Sequence, residues 1–204
     1  MKLLPVFVAL GLAFAPPASA LGIQGQLANP AVVSRLMGSS SGVYVFLTSV
    51  ASGTVAGLAP LTGDHFYLQV PDTQPRRLAA LEICDGPTLS AHPRVYQAET
   101  MLLYSKALNR VVGPLIQADD PANPSRTVRW MYSDRAAAIQ GQCRGLSTRY
   151  DLTLRQGWNA VMTVNDDARL TYSNARQRLP YWVQGNLTLN NARSVLPAGF
   201  FNSP

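Results

Sequence analysis

Gly63-Asp64-His65-Phe66-Tyr67-Leu68-Gln69-Val70-Pro71-Asp72 (GDHFYLQVPD) decides the fold class. Phe66, Leu68 and Val70 alternate with Tyr67 and Gln69, the period of a strand with one buried face. Gly63-Asp64 and Pro71-Asp72 bracket that strand as turn signals: Gly tolerates positive φ, Pro pre-sets its own φ, and Asp hydrogen-bonds its own backbone. Upstream, Val43 to Val50 (VYVFLTSV) is dense in β-branched and aromatic residues and reads as a central strand. Gly53 to Gly63, with Gly57 and Pro60, reads as a loose connection. A Gly/Ser break spans Gly38 to Gly42. Gly22 to Leu27 sets Ile23, Gly25 and Leu27 against Gln24 and Gln26, a short period-2 pattern.

Downstream, Asp85-Gly86-Pro87 marks a turn. Glu99 to Tyr104 and Val111 to Gln117 read as strands joined around Leu108-Asn109-Arg110. A helix from Ala98 to Val112 is the alternative, and the hairpin is preferred because Gly113-Pro114 stops helical continuation. Asp119 to Pro124 is a loop, and Val128, Trp130 and Tyr132 share one face of a strand. Tyr150 to Leu154 alternates, Arg155-Gln156-Gly157 supplies turn residues, and Trp158 to Val164 reads as the returning partner of a hairpin. Arg169 to Tyr172 and Trp182 to Leu189 add strands, and Leu196 to Pro204 reads as a tail. The fold class is therefore all-β. The expected architecture is an antiparallel β-sandwich, as one unit or as two small β subdomains that share a core. The two parts are 21–83 and 84–204, the second carrying the hairpin around Gly157, with a soft boundary between Glu82 and Gly86.

Residues 1–20 read as a secretory signal peptide. Lys2 supplies the positive start, Leu3 to Ala15 the apolar run, and Ala18-Ser19-Ala20 the small residues at a cleavage site. That run, about 13 residues, is shorter than a membrane span, and no later stretch is apolar enough to be a transmembrane segment. The expected location is outside the cytoplasm: periplasm, cell surface or medium. Cys84 and Cys143, the only 2 cysteines, are then expected to form a disulfide. The roughly 60-residue loop it closes corresponds to about 4 kcal/mol in the chain-entropy model.

Composition narrows the function classes. Hydrophobic residues make up 47% and charged residues 14% of the chain, which suits a packed domain. The 15 Gly and 15 Pro suit many turns and short strands. The formal charge is +6, and every basic residue except Lys2 and Lys106 is arginine. These arginines are scattered without a basic run, so nucleic acid is not an expected partner. A mild positive field still favours an anionic envelope surface or polysaccharide.

The stretches 22–27, 43–46 and 63–71 together resemble the transthyretin-like or carboxypeptidase-regulatory-like β-sandwich, with a G-I-x-G opening, a central apolar strand and an F-x-L-x-V-P ending. The resemblance covers about 50 residues and implies that sandwich fold for the N-terminal part. Trp130-Met131-Tyr132-Ser133-Asp134, Ile139-Gln140-Gly141 and the stretch from Tyr150 to Asn159 are similar to exported bacterial proteins without an assigned activity. That likeness implies a bacterial envelope setting and brings no functional residues.

Candidate chemistry is thin. Gly38-Ser39-Ser40-Ser41-Gly42 fits G-x-S-x-G, but a nucleophile elbow needs a helix after the serine, and a β-patterned run follows. His65 and His92 are the only histidines and supply no metal-binding spacing. Asp119-Asp120 and Asp166-Asp167 could help hold Ca²⁺ in loops, although adjacent acids on turns are more often solvated Asx-turns. No phosphate-cradling motif occurs, so no cofactor is expected. The aromatic residues remain. Trp158 reads as core, whereas Tyr181 and Trp182, adjacent on one strand, cannot both face inward, so one is expected at a ligand or partner surface. The leading expectation is a non-enzymatic exported protein that binds other envelope proteins as part of a surface assembly. The alternatives are a carbohydrate-binding module using Tyr181 and Trp182, and a secreted hydrolase, which would need Ser40, or His65 and His92, in a cleft.

Overall fold

The computed structural model describes residues 21–38, 41–49, 54–71, 73–98 and 100–184. The proposed signal peptide, Ser40 and the tail from Leu196 lie outside them. About 60% of the described residues are strand and 5% helix, so the all-β class holds. Among the described residues no helix is long and apolar enough to cross a membrane.

The N-terminal elements are β1 (Leu21–Gln26), α1 (Pro30–Met37), β2 (Val43–Ser49), β3 (Thr54–Thr62), β4 (His65–Val70) and the two-residue β5 (Ala79–Ala80). They are followed by β6 (Thr88–Leu89), β7 (Arg94–Ala98), β8 (Thr100–Ser105), β9 (Arg110–Ala118) and β10 (Arg126–Ser133). The chain continues through β11 (Ala137–Gln142), β12 (Thr148–Leu154), β13 (Gly157–Asp166), β14 (Arg169–Asn174) and β15 (Tyr181–Val183). The strands join in one mixed sheet, in the order β1-β4-β3-β2-β8-β9-β10-β13-β14-β12-β11-β6.

β4 has the alternation its sequence requires: Phe66, Leu68 and Val70 are buried, and His65, Tyr67 and Gln69 are exposed. Burying each of those apolar side chains contributes about 1.5–3 kcal/mol. The hairpin expected between Glu99 and Gln117 is present as β8–β9, with Asn109 at φ 45° in its turn. Asn tolerates that left-handed conformation better than most residues.

Three departures from the sequence reading have physical causes. The stretch read as loose is strand β3. Gly57 is a strand residue because β4 crosses close above it: a Cβ there would lie 3.2 Å from methyl groups of Leu68 and Val70. Pro60 sits where β3 leaves its pairing with β2 and takes up β4. The helix α1 was not anticipated, although Pro30 at its start and Gly38 at φ 71° just past its end mark it.

The third departure concerns the hairpin around Gly157. β12 and β13 do not pair. β14 lies between them, parallel to β12 and antiparallel to β13. Buried Asn159 turns the chain instead. Its amide oxygen accepts the Arg155 N–H at 2.9 Å, and its amide nitrogen donates to the Arg155 and Gly157 carbonyls, each at 2.9 Å. These bonds satisfy the corner's backbone groups, so the strands need not return along each other.

The sheet also curls back on itself. β15 pairs with β9, and Tyr181 bridges to Leu27 just beyond β1, with the Ala28 N–H donating to the Tyr181 carbonyl at 2.8 Å. Strands β1, β4, β3, β2, β8, β9 and β15 therefore form a ring. The largest buried cluster draws on both sequence parts, from Ile23, Leu68 and Val70 to Leu103, Trp158 and Val183. Within it Trp158 meets Tyr96 and Tyr132 edge-on, at 5.9 Å and 5.7 Å. A second cluster, around Ile139, Leu152, Leu154 and Val161, lies in a lobe built on β10 to β14. The Cys84–Cys143 disulfide ties that lobe to the chain before β6.

Candidate functional site

The ring closes at the Leu27–Tyr181 bridge and at Asn29, whose side-chain amide exchanges two hydrogen bonds with the Val183 backbone, and a cleft opens beside this closure. β1 and the chain entering β15 meet at Leu27–Tyr181. Gly22 to Leu27 line one side of a space of about 1670 Å³, and Ala175 to Tyr181 line the other. Val128, Trp130 and Ala160 lie between them. The second lip is fixed by the sheet behind it: the Ala175 N–H donates to the Ala160 carbonyl, the Ala118 N–H to the Pro180 carbonyl, and Gln117 Nε2 to the Leu179 carbonyl. Arg176 and Arg178 stand on this lip, and Arg126 donates to Gln177 Oε1 at 3.3 Å.

Two polar atoms in the wall have no hydrogen-bond partner among the described residues: the Trp130 indole N–H and Gln117 Oε1. Both atoms are buried, and buried polar groups in folded proteins are overwhelmingly paired. The Trp130 N–H lies toward the Tyr181 phenol without completing a bond. Tyr181 is 3% exposed. Burial pushes its phenol pKa well up, so it stays neutral and available as a donor. Its ring meets Phe66 edge-on at 5.0 Å. Gly25 makes that contact possible, since a Cβ there would lie 2.2 Å from the Phe66 ring.

β1 offers backbone as well. The Leu27 N–H donates to Asp64 on the β4 side, whereas the Ala28 N–H faces β15. Backbone groups alternate sides along an antiparallel edge. Ile23 and Gly25 therefore bond β4, and Gly22, Gln24 and Gln26 direct their N–H and C=O groups into the cleft. The Gln26 carbonyl accepts the Tyr181 N–H in the parallel Leu27–Tyr181 bridge, and among the described residues nothing pairs with the Gly22 and Gln24 groups. At the rim, the Gln26 amide and the neighbouring His65 ring hold the Asp64 carboxyl below the usual carboxylate range.

Tyr181, one of the two aromatics singled out from the sequence, is thus a buried wall of the cleft and not a surface platform. Trp182 is half-buried on the opposite face, its indole N–H donating to the Ala118 carbonyl at 3.0 Å. His92 is exposed in the segment before β7, and His65 is paired with Asp64. Ser40 lies outside the described residues. Among the described residues no group of three or more His, Cys, Asp or Glu side chains converges as metal ligands. Asp119 and Asp120 instead cap backbone amides of their own loop. Cys84 and Cys143 are joined, with Cα atoms 5.5 Å apart. Gly86 lies against that staple, because a Cβ there would sit 2.5 Å from the Gln142 carbonyl oxygen.

The sequence reading did not single out Gln117, Arg176, Arg178 or the open edge of β1 as a site. One signal was available. Leu21–Gln26 (LGIQGQ) lacks the Lys, Pro or other charge that normally protects a sheet edge. Comparison with protein-family models, with characterised proteins and with solved structures finds no match.

Proposed function

We propose that this protein is a non-catalytic binding protein of an oxidising compartment outside the cytoplasm, and that its working site is the cleft between β1 and Ala175 to Tyr181. One observation carries this: a cleft of about 1670 Å³ opens beside β1, whose Gly22 and Gln24 backbone groups on that side have no partner among the described residues. A strand edge of this kind gains backbone partners when an extended segment enters. The disulfide is compatible with an oxidising location.

Filling the cleft tests this function. Ala160 lines the cleft and is paired with Trp130 across the sheet, so Ala160→Phe places a ring in that space. Native co-purification of the wild-type and Ala160→Phe chains from the source envelope is expected to recover a partner with the wild type and lose it with the variant. Unfolding temperatures should stay within a few degrees of each other. Equal recovery by both chains would overturn the assignment of the site. Turnover of ester or glycoside substrates by the purified chain would overturn the non-catalytic reading.

A further inference from the structure

From the geometry of β1 we infer that the cleft takes an extended peptide segment, which adds as a strand to the open edge of β1 and alternates apolar with acidic residues. This rests on the cleft being the binding site, and it names the class of partner.

The backbone is the first reason. Gly22, Gln24 and Gln26 direct N–H and C=O groups away from β4, and an extended chain satisfies such a row by continuing the ladder. The parallel bridge between Leu27 and Tyr181 takes up the Gln26 carbonyl and the Ala28 N–H, so an incoming strand pairs with the edge N-terminal to it, at Gly22 and Gln24. With 6 residues, β1 is long enough to hold a strand of ordinary length, about 20 Å.

The second reason is chemical. Successive residues of a strand face opposite ways. Residues facing the wall meet Val128, Ala160 and Leu179. Those facing outward meet Arg176 and Arg178, and among the described residues neither guanidinium has an ion-pair partner. Small or aliphatic residues fit the first surface and carboxylates fit the second. The chain's own segment 185–204 fits poorly, because Arg193 is its only charged side chain and repeats the sign of the lip. A polysaccharide would use the cleft but would not continue a backbone ladder.

The test uses the disulfide-bonded exported protein and labelled synthetic peptides. One peptide alternates valine with glutamate, a second valine with lysine, and a third valine with serine. Binding is read by fluorescence anisotropy, and amide hydrogen exchange is followed by NMR. The glutamate peptide is expected to bind at least about tenfold more tightly than the lysine peptide. It should slow exchange at Gly22, Gln24 and Gln26. Gln24→Pro removes a donor on the open edge, where proline is tolerated. It should abolish that binding without changing the circular dichroism spectrum, and Arg176→Glu with Arg178→Glu should reverse the charge preference. Binding that survives Gln24→Pro would overturn strand addition while leaving the cleft as a binding site. Amides at Gly22, Gln24 and Gln26 already protected in the free protein would show the edge covered by the chain itself or by a second copy, and would overturn the proposal. So would failure of the glutamate peptide to bind an open edge, even if Ala160→Phe still lost its envelope partner.

Discussion

The ring and the lobe solve the same problem by different means. In the ring, strands from both sequence parts surround one large apolar cluster, and no covalent bond links them. In the lobe the apolar cluster is smaller, and specific bonds supplement it: the Cys84–Cys143 disulfide, the Asn159 corner, and Asn174, whose side-chain amide both accepts from and donates to the Thr153 backbone. The difference follows from the size of the core. Apolar burial scales with area and needs no particular geometry, whereas a small cluster leaves more of the fold to directional and covalent contacts. The ring can therefore leave one edge unpaired beside the cleft and remain closed.

Trp158 joins the two regions, so the largest effect is expected there. It is the second residue of β13 in the lobe, packs in the ring cluster, and donates its indole N–H to the Pro71 carbonyl. Trp158→Ala should cost about 4–5 kcal/mol, the upper range for a buried aromatic, in urea unfolding followed by circular dichroism. A loss under about 1 kcal/mol would show that the regions do not share a core. Replacing Cys84 and Cys143 together by serine should cost about 4 kcal/mol. Amide exchange should then speed up in β6, β11 and β12 and stay slow in β2 and β8. Uniform acceleration would erase the distinction between covalent and apolar stabilisation.

Asn159→Ala should cost about 2 kcal/mol, because the backbone groups of Arg155 and Gly157 lose their buried partner. The smallest effect is at Asp119, in the link between β9 and β10. Burial opposes ionisation there, but the Ser125 hydroxyl and the Arg126 and Asp120 amides outweigh it and hold the carboxyl below its usual value of 3.8. A depressed folded-state pKa stabilises the fold above the unfolded value, and this is lost as pH falls through the folded one. Thermal unfolding followed from pH 6 to pH 2 should show Asp119→Asn losing less stability than the wild type over the acid part of that range. Parallel curves would remove Asp119 from the account.

These contrasts also explain what could be read in advance. β4 was legible because its period and both turn signals are local, and β8–β9 because Gly113-Pro114 excluded the competing helix. The disulfide followed from having a single pair of cysteines. The β12–β13 corner was misread because Arg155-Gln156-Gly157 carries turn residues that suit a hairpin equally well. What decides against the hairpin is the insertion of β14 and the Asn159 side chain, and neither is encoded in the period of the flanking strands. β3 was hidden because Gly57 and Pro60 serve a close crossing and a change of partner, which read locally as a loop. The cleft was invisible because β1, Gln117, Trp130 and Arg176 come together only when the sheet curls.

The central claim is that β1 is bonded on one edge and open on the other. The most direct test is residue-by-residue amide hydrogen exchange of the free, disulfide-bonded protein by NMR. Slow exchange at Ile23, Gly25 and Leu27, with fast exchange at Gly22, Gln24 and Gln26, is the predicted pattern. Uniform protection from Gly22 to Leu27 would contradict it, since the edge on which the cleft depends would already be filled.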